Sequence, residues 1–246
     1  MPDVQTKARG PHFFVGLGDV WDGRAVLRGD EARHLAVVLR AASGDAVSLS
    51  DGAGRCWQAR VLRATGAEVT FRLGRLRHVP RPRPRLTVVH ALPKGRKLDG
   101  VVQRLAEIGV DRLVPVRSAR TEVQLAPDRA AKAVARWRAV ALAAAKQSRR
   151  AWLLDVGDVD TLPTALAQAS HGVVLWEDAT VSLRDVCPLA DVDELVLGIG
   201  PEGGLTADEV AAAGVPAASL GETILRTETA ALVAASIVLH RLDRLG

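Results

Sequence analysis

From residue 86 onward, short apolar runs alternate with segments of helical periodicity, and this alternation constrains the fold more than any other feature. Buried strands are predicted at the apolar runs 86–92, 113–116, 173–176 and 195–199. Helices are predicted at 98–108, where Gly109 ends the helix, at 128–149 and at 228–242. Strands that alternate with helices in this way are typical of a parallel α/β sheet.

The preceding part of the chain has a different pattern. Short runs rich in β-branched or aromatic residues, separated by Gly and Asp, lie at 13–16, 46–50, 56–62 and 68–73. Residues 51–54 are predicted to form a hairpin turn, and one short helix is predicted at 31–40. We therefore expect a small β-barrel domain over residues 1–78 and the α/β domain over 79–246. Three prolines at 79–85 indicate an extended connector between them.

Charge is unevenly distributed along the chain. Residues 1–85 contain 15 Lys and Arg against 8 Asp and Glu, whereas residues 86–246 contain 18 against 20. No acidic residue lies between Glu68 and Asp99, although nine basic residues do. This stretch is either a solvated linker or part of a surface that binds a polyanion such as a nucleic acid.

Several functional classes are excluded by the sequence pattern. The longest apolar run, 230–239, is too short to cross a membrane, and the N-terminal residues contain no secretory signal, so a cytoplasmic protein without membrane partners is expected. The histidines lack metal-ligand spacing, and Cys56 and Cys187 stand far apart in sequence. No metal site is predicted.

A glycine-rich loop follows the predicted strand 195–199. Residues 198–203 satisfy the G-x-G-x-x-G pattern, and Glu222 lies at the spacing of a ribose contact. However, residues 206–209 form a capping box, so the helix begins too late for a dinucleotide fold. A loop at the carboxyl end of a parallel strand still predicts a ligand site, and residues 220–229 share this edge if 217–220 is a strand. Their apolar and hydroxyl side chains suit an adenosine-like ligand.

The same two loops carry a family resemblance. The sequence GPEGGLTADEV followed by LGETILRTETAAL resembles the paired C-terminal motifs of the RsmE family, SPOUT-class methyltransferases of small-subunit ribosomal RNA. The likeness extends to KGRK at 94–97 with LAEIGV at 105–110, to the helix that ends in QSR at 147–149, and to HLAVVLR at 34–40. It covers almost the whole chain.

The resemblance implies a PUA-like β-barrel followed by an α/β domain that contains a deep trefoil knot. It implies a homodimer whose cofactor site, for S-adenosylmethionine, lies beside the subunit interface. The implied product is N3-methyluridine at one position in the decoding region of 16S rRNA, with the 30S subunit as the expected form of the substrate. A different RNA target, such as tRNA or another rRNA position, and a non-catalytic RNA-binding protein are the alternatives.

By the family motifs, three loops are implied to bind the cofactor. The residues concerned are Leu175, Trp176, Glu177, Leu197, Gly198, Ile199, Gly200, Pro201, Glu202, Gly203, Leu220, Gly221, Ile224, Leu225 and Thr227. RNA contacts are expected from the basic residues Arg40, Lys94, Lys97, Arg104, Arg120 and Arg149.

The chemistry indicates which residues catalyse transfer. Loss of the proton on uridine N3 places negative charge on the neighbouring carbonyl oxygens, and an arginine beside them stabilises that charge. Arg226 is the first candidate, followed by Arg149 and Arg120. Glu202 and Glu228 are candidate general bases, and the choice stays open.

The chain departs from the family pattern at three positions. His12 stands where the family usually has an arginine, Arg104 where it has a lysine, and Ala106 where it has a hydroxyl residue. These changes affect the predicted RNA contacts and leave the cofactor loops intact.

Overall fold

The computed structural model describes residues 10–167, 169, 171–186 and 192–245, so Cys187 lies outside the described residues. The chain divides into two compact units. The first contains the residues up to Arg81 together with Lys146–Trp152, and the second contains Pro82–Ala145 and the residues from Leu153 onward. The predicted domain boundary between residues 78 and 79 stays a prediction.

The first unit is built on a six-stranded sheet. Its strands are β1 (His12–Phe14), β2 (Val20–Trp21), β3 (Arg24–Arg28), β4 (Ala46–Ser50), β5 (Arg55–Ala64) and β6 (Glu68–His78). They lie in the order β1-β4-β5-β6-β3-β2, and every pair except β1–β4 is antiparallel. The helical segment predicted at 31–40 is an α-helix, α1 (Gly29–Arg33), that continues as a π-helix over His34–Val38.

This sheet differs from the sequence prediction in two main respects. The β2–β3 hairpin was not predicted, because each strand is short and its apolar positions do not alternate regularly. Strand β6 is longer than predicted and contains Arg75 and Arg77, so these two arginines belong to the sheet and not to the connector. Inward-facing residues such as Phe13, Leu49 and Phe71 form the core of the unit.

The segment Lys146–Trp152 is bound to the rest of the first unit by backbone and side-chain contacts. The Gly54 N–H donates to the Ala151 carbonyl at 3.0 Å, and Trp152 Nε1 donates to the Val79 carbonyl at 3.1 Å. Gly54 has φ +93°, and a Cβ there would lie 2.7 Å from the Trp152 ring. Only glycine therefore fits against this ring.

The second unit is a parallel α/β sheet with helices on both faces. Its strands are β7 (Arg85–Ala91), β8 (Arg112–Arg117), β9 (Asp155–Val156), β10 (Asp160–Thr161), β11 (Gly172–Leu175), β12 (Glu194–Ile199) and β13 (Ala217–Ala218). All pairs are parallel, in the order β10-β8-β7-β12-β11-β13 with β9 beside β8. The predicted parallel α/β class is confirmed, and the trefoil knot stays a prediction.

The helices of this part of the chain are α2 (Lys97–Ile108), α3 (Pro127–Gln147), α4 (Leu162–Ala167), α5 (Leu183–Val186), α6 (Ala207–Ala212) and α7 (Thr227–Arg241). One apolar cluster joins α2, α3 and α7 to the sheet, and a second joins α4 to the opposite face. Gly109 ends α2 with φ +94°, as its position in the sequence predicts. Trp137 is buried in the first of these clusters.

Two kinds of feature are absent from the described residues. No helix among them is long and apolar enough to span a membrane. Nor does the described part of the chain bring three or more His, Cys, Asp or Glu side chains into a cluster that could hold a metal ion.

The contacts of Trp152 predict that this residue stabilises the first unit. Trp152→Ala removes a half-buried ring and one hydrogen bond, and we expect the free energy of unfolding of that unit to fall by about 2 kcal/mol. Trp152→Phe, the control, retains the ring and should lose only about 1 kcal/mol. Denaturant titration followed by circular dichroism measures both, and an unchanged Trp152→Ala midpoint would contradict the predicted role.

Candidate functional site

A cavity of about 380 Å³ lies at the carboxyl ends of three neighbouring strands, β11, β12 and β13. Three loops surround it: residues 175–177, 199–205 and 218–227. The volume falls within the range of sites that bind small molecules, about 300–1,000 Å³. The position agrees with the general location of ligand sites in open α/β sheets.

Most of the residues that the sequence predicts to bind a cofactor line this cavity. They are Leu175, Trp176, Glu177, Ile199, Gly200, Pro201, Glu202, Leu220, Gly221, Ile224, Leu225 and Thr227. Leu197 and Gly198 lie inside β12 and are not among the lining residues. Gly203 is also absent from the lining, and its carbonyl accepts a hydrogen bond from Arg120 Nη1 at 2.9 Å.

The loop after β12 is held by the start of the next helix. Thr206 Oγ1 accepts from the Glu209 N–H at 3.1 Å, while Glu209 Oε2 accepts from the Thr206 N–H at 3.0 Å, so the predicted capping box is present. Thr227 Oγ1 donates to the Gly200 carbonyl at 2.6 Å. This bond joins the loop to the first residue of α7, which also lines the cavity.

Gly204 has the strictest backbone requirement in this loop. Its φ is +72°, and a Cβ there would lie 2.4 Å from Glu177 Oε1. Any side chain at residue 204 would therefore strain the backbone and displace a carboxylate that lines the cavity. Gly204 lines the cavity as well, although the prediction ended at Gly203.

Glu202 is bound to two lysines at the cavity wall. Lys97 Nζ lies 2.9 Å from Glu202 Oε1, and the backbone N–H of Lys94 donates to the same oxygen at 3.1 Å. Partial burial alone would raise the pKa of Glu202, but the hydrogen bonds from Lys97 and from backbone N–H groups outweigh it and lower the pKa. Glu202 is therefore a stable carboxylate at neutral pH and a weak proton acceptor.

Glu228, the other candidate base, is placed differently. Its Oε2 atom is buried and has no hydrogen-bond partner among the described residues. Its Oε1 atom lies 4.0 Å from Lys97 Nζ. Nearby, burial lowers the pKa of His90, against the opposing effects of the Ala91 and Thr227 backbone and of the Glu202 and Glu228 carboxylates. His90 is therefore neutral at physiological pH.

Arg226 lies at the N-terminal end of α7 and lines the cavity. Its carbonyl accepts the first hydrogen bonds of the helix, from the Thr229 and Ala230 N–H groups. Its side chain makes no hydrogen bond or ion pair with the described residues. The guanidinium is therefore available to a ligand.

The other predicted RNA contacts lie in both units. Lys94, Arg104 and Arg120 belong to the second unit, where Lys94 Nζ pairs with Glu122 Oε1 at 2.8 Å and Arg104 Nη1 donates to the Gly100 carbonyl at 3.3 Å. Lys97, predicted to contact RNA, also lines the cavity. The RNA contacts themselves stay predictions.

Two predicted arginines, Arg40 and Arg149, lie in the first unit and not among the residues that line the cavity. Arg149 follows α3 with φ +54°, and its Nη2 donates to the Gly10 carbonyl at 2.8 Å. Burial, and secondarily the charge of Arg149, lowers the pKa of His12 to about 4. His12 is therefore neutral at pH 7 and does not replace the charge of the family's arginine.

Some lining residues were not assigned to the site from the sequence: Leu205, Ala218, Ser219 and Ala230. Glu222 and Thr223, which also line the cavity, belong to the predicted loop 220–229 but were not named individually as cofactor-binding residues. Ser219 bridges the loop by accepting from the Gly221 N–H at 3.0 Å. A hydroxyl that accepts from the backbone two residues on forms an ST turn, whereas residues 217–220 were considered as a strand.

Comparison with known proteins identifies the family. A family model described as an RNA methyltransferase domain matches residues 80–239, and one described as an RNA methyltransferase PUA domain matches residues 27–73. Ribosomal RNA small subunit methyltransferase E of Mycobacterium bovis is 38% identical over 236 residues, which cover 92% of this chain and 90% of the relative. The chain belongs to this family of RNA methyltransferases.

Further relatives support the assignment over most of the chain. The protein of the same name from Bacillus subtilis is 30% identical over 233 residues, covering 89% of this chain and 91% of that protein. A crystal structure of ribosomal RNA small subunit methyltransferase E from Neisseria gonorrhoeae, bound to S-adenosylmethionine, superposes with a TM-score of 0.82. It is 27% identical and covers 94% of this chain and 97% of the other. The predicted family, fold class and enzyme class are confirmed.

The contact between Gly204 and Glu177 yields a testable prediction. Gly204→Ala should weaken S-adenosylmethionine binding about tenfold, because the new methyl group displaces the Glu177 carboxylate from the cavity wall. Gly214→Ala is the matched control, since Gly214 has a similar φ of +65° and a Cβ at that position would have no atom within 4 Å. Both variants should lose about 1 kcal/mol of stability. Isothermal titration calorimetry should show weakened binding in the first variant alone, and equal affinities would contradict the prediction.

Proposed function

We propose that this protein transfers a methyl group from S-adenosylmethionine to N3 of one uridine in the decoding region of 16S rRNA. The observation that carries the proposal is the cavity at the ends of β11, β12 and β13, lined by the guanidinium-bearing Arg226, whose side chain has no partner among the described residues. The names of the curated relatives support small-subunit ribosomal RNA as the substrate. The 30S subunit is the proposed form of that substrate, and the cytoplasm is the proposed location.

The residues around the cavity fit the proposed cofactor. Leu175, Leu220 and Leu225 supply apolar walls for an adenine ring, and the glycine loop supplies backbone N–H groups at close range. Glu177 and Glu222 place carboxylates at the cavity, where they favour the cationic groups of S-adenosylmethionine. When bound, this cofactor supplies a methyl group on a positively charged sulfur, which is already activated for transfer.

The protein must therefore promote deprotonation of the nucleophile, uridine N3. Uridine N3 carries a proton, and its removal places negative charge on the adjacent carbonyl oxygens. We assign the stabilisation of that charge to Arg226, because its guanidinium has no competing partner among the described residues. Of the two candidate bases, Glu228 fits better than Glu202, since one Glu228 oxygen has no partner within the described ranges while Glu202 is bound by Lys97. Roles for Arg149 and Arg120 in catalysis stay predictions.

A homodimer is part of the proposal. Ile224 at the rim of the cavity is 84% exposed, an unusual environment for a large apolar side chain. A partner subunit beside the cofactor site, as the family resemblance implies, would cover it.

The experiment that tests the proposed function measures methyl transfer from labelled S-adenosylmethionine to 30S subunits that lack native modification. Mass spectrometry of the digested nucleosides should detect N3-methyluridine, and mapping should place it at one decoding-region position. Methylation of tRNA, or of another nucleoside, would overturn the substrate and retain the enzyme class. Binding of S-adenosylmethionine without transfer to any RNA would overturn the proposal.

Replacement of Arg226 tests its assigned role. Arg226→Ala should lower kcat for methyl transfer by about 10²–10³-fold, because a donor to the developing charge is lost. The Kd for S-adenosylmethionine should change by no more than about threefold if the arginine acts mainly in the transition state. Arg226→Lys retains the charge and should recover part of kcat. A variant that loses cofactor affinity with kcat intact would instead assign Arg226 to cofactor binding.

A further inference from the structure

The outer face of the sheet in the first unit carries a row of four side chains, one from each of four neighbouring strands. In the strand register, Trp21 of β2 lies opposite Arg24 of β3, Arg24 lies opposite Arg72 of β6, and Arg72 lies opposite Arg60 of β5. Directly opposite residues point to the same face of a sheet. Trp21, Arg24, Arg72 and Arg60, hereafter the basic row, therefore form one continuous surface across the strands.

The basic row lies on the face turned away from the core. Along β5, Trp57, Ala59 and Val61 are buried, while Arg60 between them is exposed. Along β6, Val69 and Phe71 are buried and Arg72 is exposed. The alternation shows that the arginines are not needed to fill the core of the unit.

A tight hairpin fixes one end of the row. The turn between β2 and β3 consists of Asp22 and Gly23, with φ of +40° and +69°. Two central residues with positive φ characterise the type I′ turn, whose twist matches that of the flanking strands. The turn is also anchored to β6, because the Gly23 carbonyl accepts from the Leu73 N–H at 2.8 Å. Trp21 and Arg24 are therefore held side by side on a defined backbone.

Unlike Arg28 and Arg55 of the same unit, the arginines of the row have no acidic partner within the described ranges. Arg28 pairs with Asp19 and Glu68, and Arg55 pairs with Asp51. In contrast, Arg24 and Arg72 make no ion pair or side-chain hydrogen bond with the described residues, and Arg60 donates only to the Gly44 carbonyl, at 2.8 Å. Like charges placed directly opposite each other destabilise a sheet. The arrangement thus carries a cost that a bound anion would remove.

Trp21 adds a second kind of chemistry to the row. The side chain is 44% exposed although it is large and apolar. An exposed indole beside guanidinium groups matches the surfaces that bind single-stranded nucleic acid, in which aromatic rings stack on bases and arginines contact phosphates. An acidic protein could form ion pairs with the arginines but offers no base on which the Trp21 ring could stack. Neighbouring strands are about 4.8 Å apart, so the row is about 14 Å long, enough for a few nucleotides.

We propose that the basic row binds an unpaired segment of the RNA substrate, with Arg24, Arg72 and Arg60 on successive phosphates and Trp21 stacked on a base. This inference rests on the proposed function only in taking ribosomal RNA as the natural ligand. The basic row belongs to the first unit and is assigned to substrate binding, whereas the cavity that the three loops surround belongs to the second unit.

Binding of the full-length protein to fluorescently labelled oligouridine, measured by anisotropy at several salt concentrations, tests the proposal. In Arg24→Ala/Arg72→Ala, the slope of log K against log salt should become shallower by about 1.4, since each phosphate contact on a single strand contributes about 0.7. Trp21→Ala should weaken binding about tenfold with the slope unchanged, and Trp21→Phe should restore most of the affinity.

The matched control removes the same charge elsewhere in the unit. Arg33 of α1 and Arg77 at the far end of β6 are exposed and lie outside the row, so Arg33→Ala/Arg77→Ala should leave the salt slope within about 0.3 of the wild-type value. Equal slope changes in both double variants would overturn the proposal, because the effect would then reflect net charge alone. Thermal unfolding should show that the row variant is at least as stable as the wild type, since like-charge repulsion has been relieved.

Stacking on an unpaired base would be overturned if a labelled RNA duplex bound as tightly as oligouridine and if Trp21→Ala left the affinity for oligouridine unchanged.

Two further outcomes distinguish failure of this proposal from failure of the proposed function. If the wild type methylates 30S subunits while the row variants bind oligouridine normally, RNA binding by the basic row is overturned and the proposed function is retained. If the row variants lose oligouridine binding while the wild type methylates no RNA, RNA binding by the basic row is retained and the proposed function is overturned.

Discussion

The parallel pairing of β11 with both β12 and β13 is the constraint on which the cofactor cavity depends. Because all three strands run in one direction, their carboxyl ends meet at one edge, and the loops that follow them are brought together although they are distant in sequence. The bond from Thr227 Oγ1 to the Gly200 carbonyl then joins two of those loops directly. Arg226, which immediately precedes Thr227, is positioned at the cavity by the same connection. The site is thus a consequence of sheet direction, with only a few side-chain contacts needed to complete it.

Much of the second unit could be predicted because its signals are local. An apolar run such as that of β12 identifies a buried strand without knowledge of its partners, and Thr206 with Glu209 identifies the start of α6 through contacts within one turn. The β2–β3 hairpin was not predicted although Asp22-Gly23 is a local turn signal, because its two strands are short and their apolar residues do not alternate regularly. The contribution of Lys146–Trp152 to the first unit depends on contacts with residues distant in sequence, such as the hydrogen bond between Gly54 and Ala151, and no local periodicity indicates such contacts.

In the candidate site, too, some features could be predicted from local sequence and others could not. The glycine loop and the segment with Arg226 were found because glycine density and the family motifs identify loops. However, a motif does not show which members of a loop face the ligand. Gly198 is enclosed in the sheet, and Gly203 is turned toward Arg120, although both belong to the glycine motif. Lys97 is the first residue of α2 and lines the cavity, a position that its charge alone does not indicate, and its contact with RNA stays a prediction.

In the function proposed for this protein, arginine serves two physically distinct purposes. Exposed guanidinium groups that contact phosphates act through counterion release, so their contribution to affinity falls as salt rises. A guanidinium beside the reacting atoms acts on charge that develops only during the reaction, in a site from which the bound ligands displace water. If the first unit binds RNA, the first purpose accounts for the excess of positive charge in residues 1–85, whereas the second needs only Arg226 among the acidic residues of the cavity. Salt should accordingly affect substrate capture through the first unit far more strongly than the methyl transfer step itself.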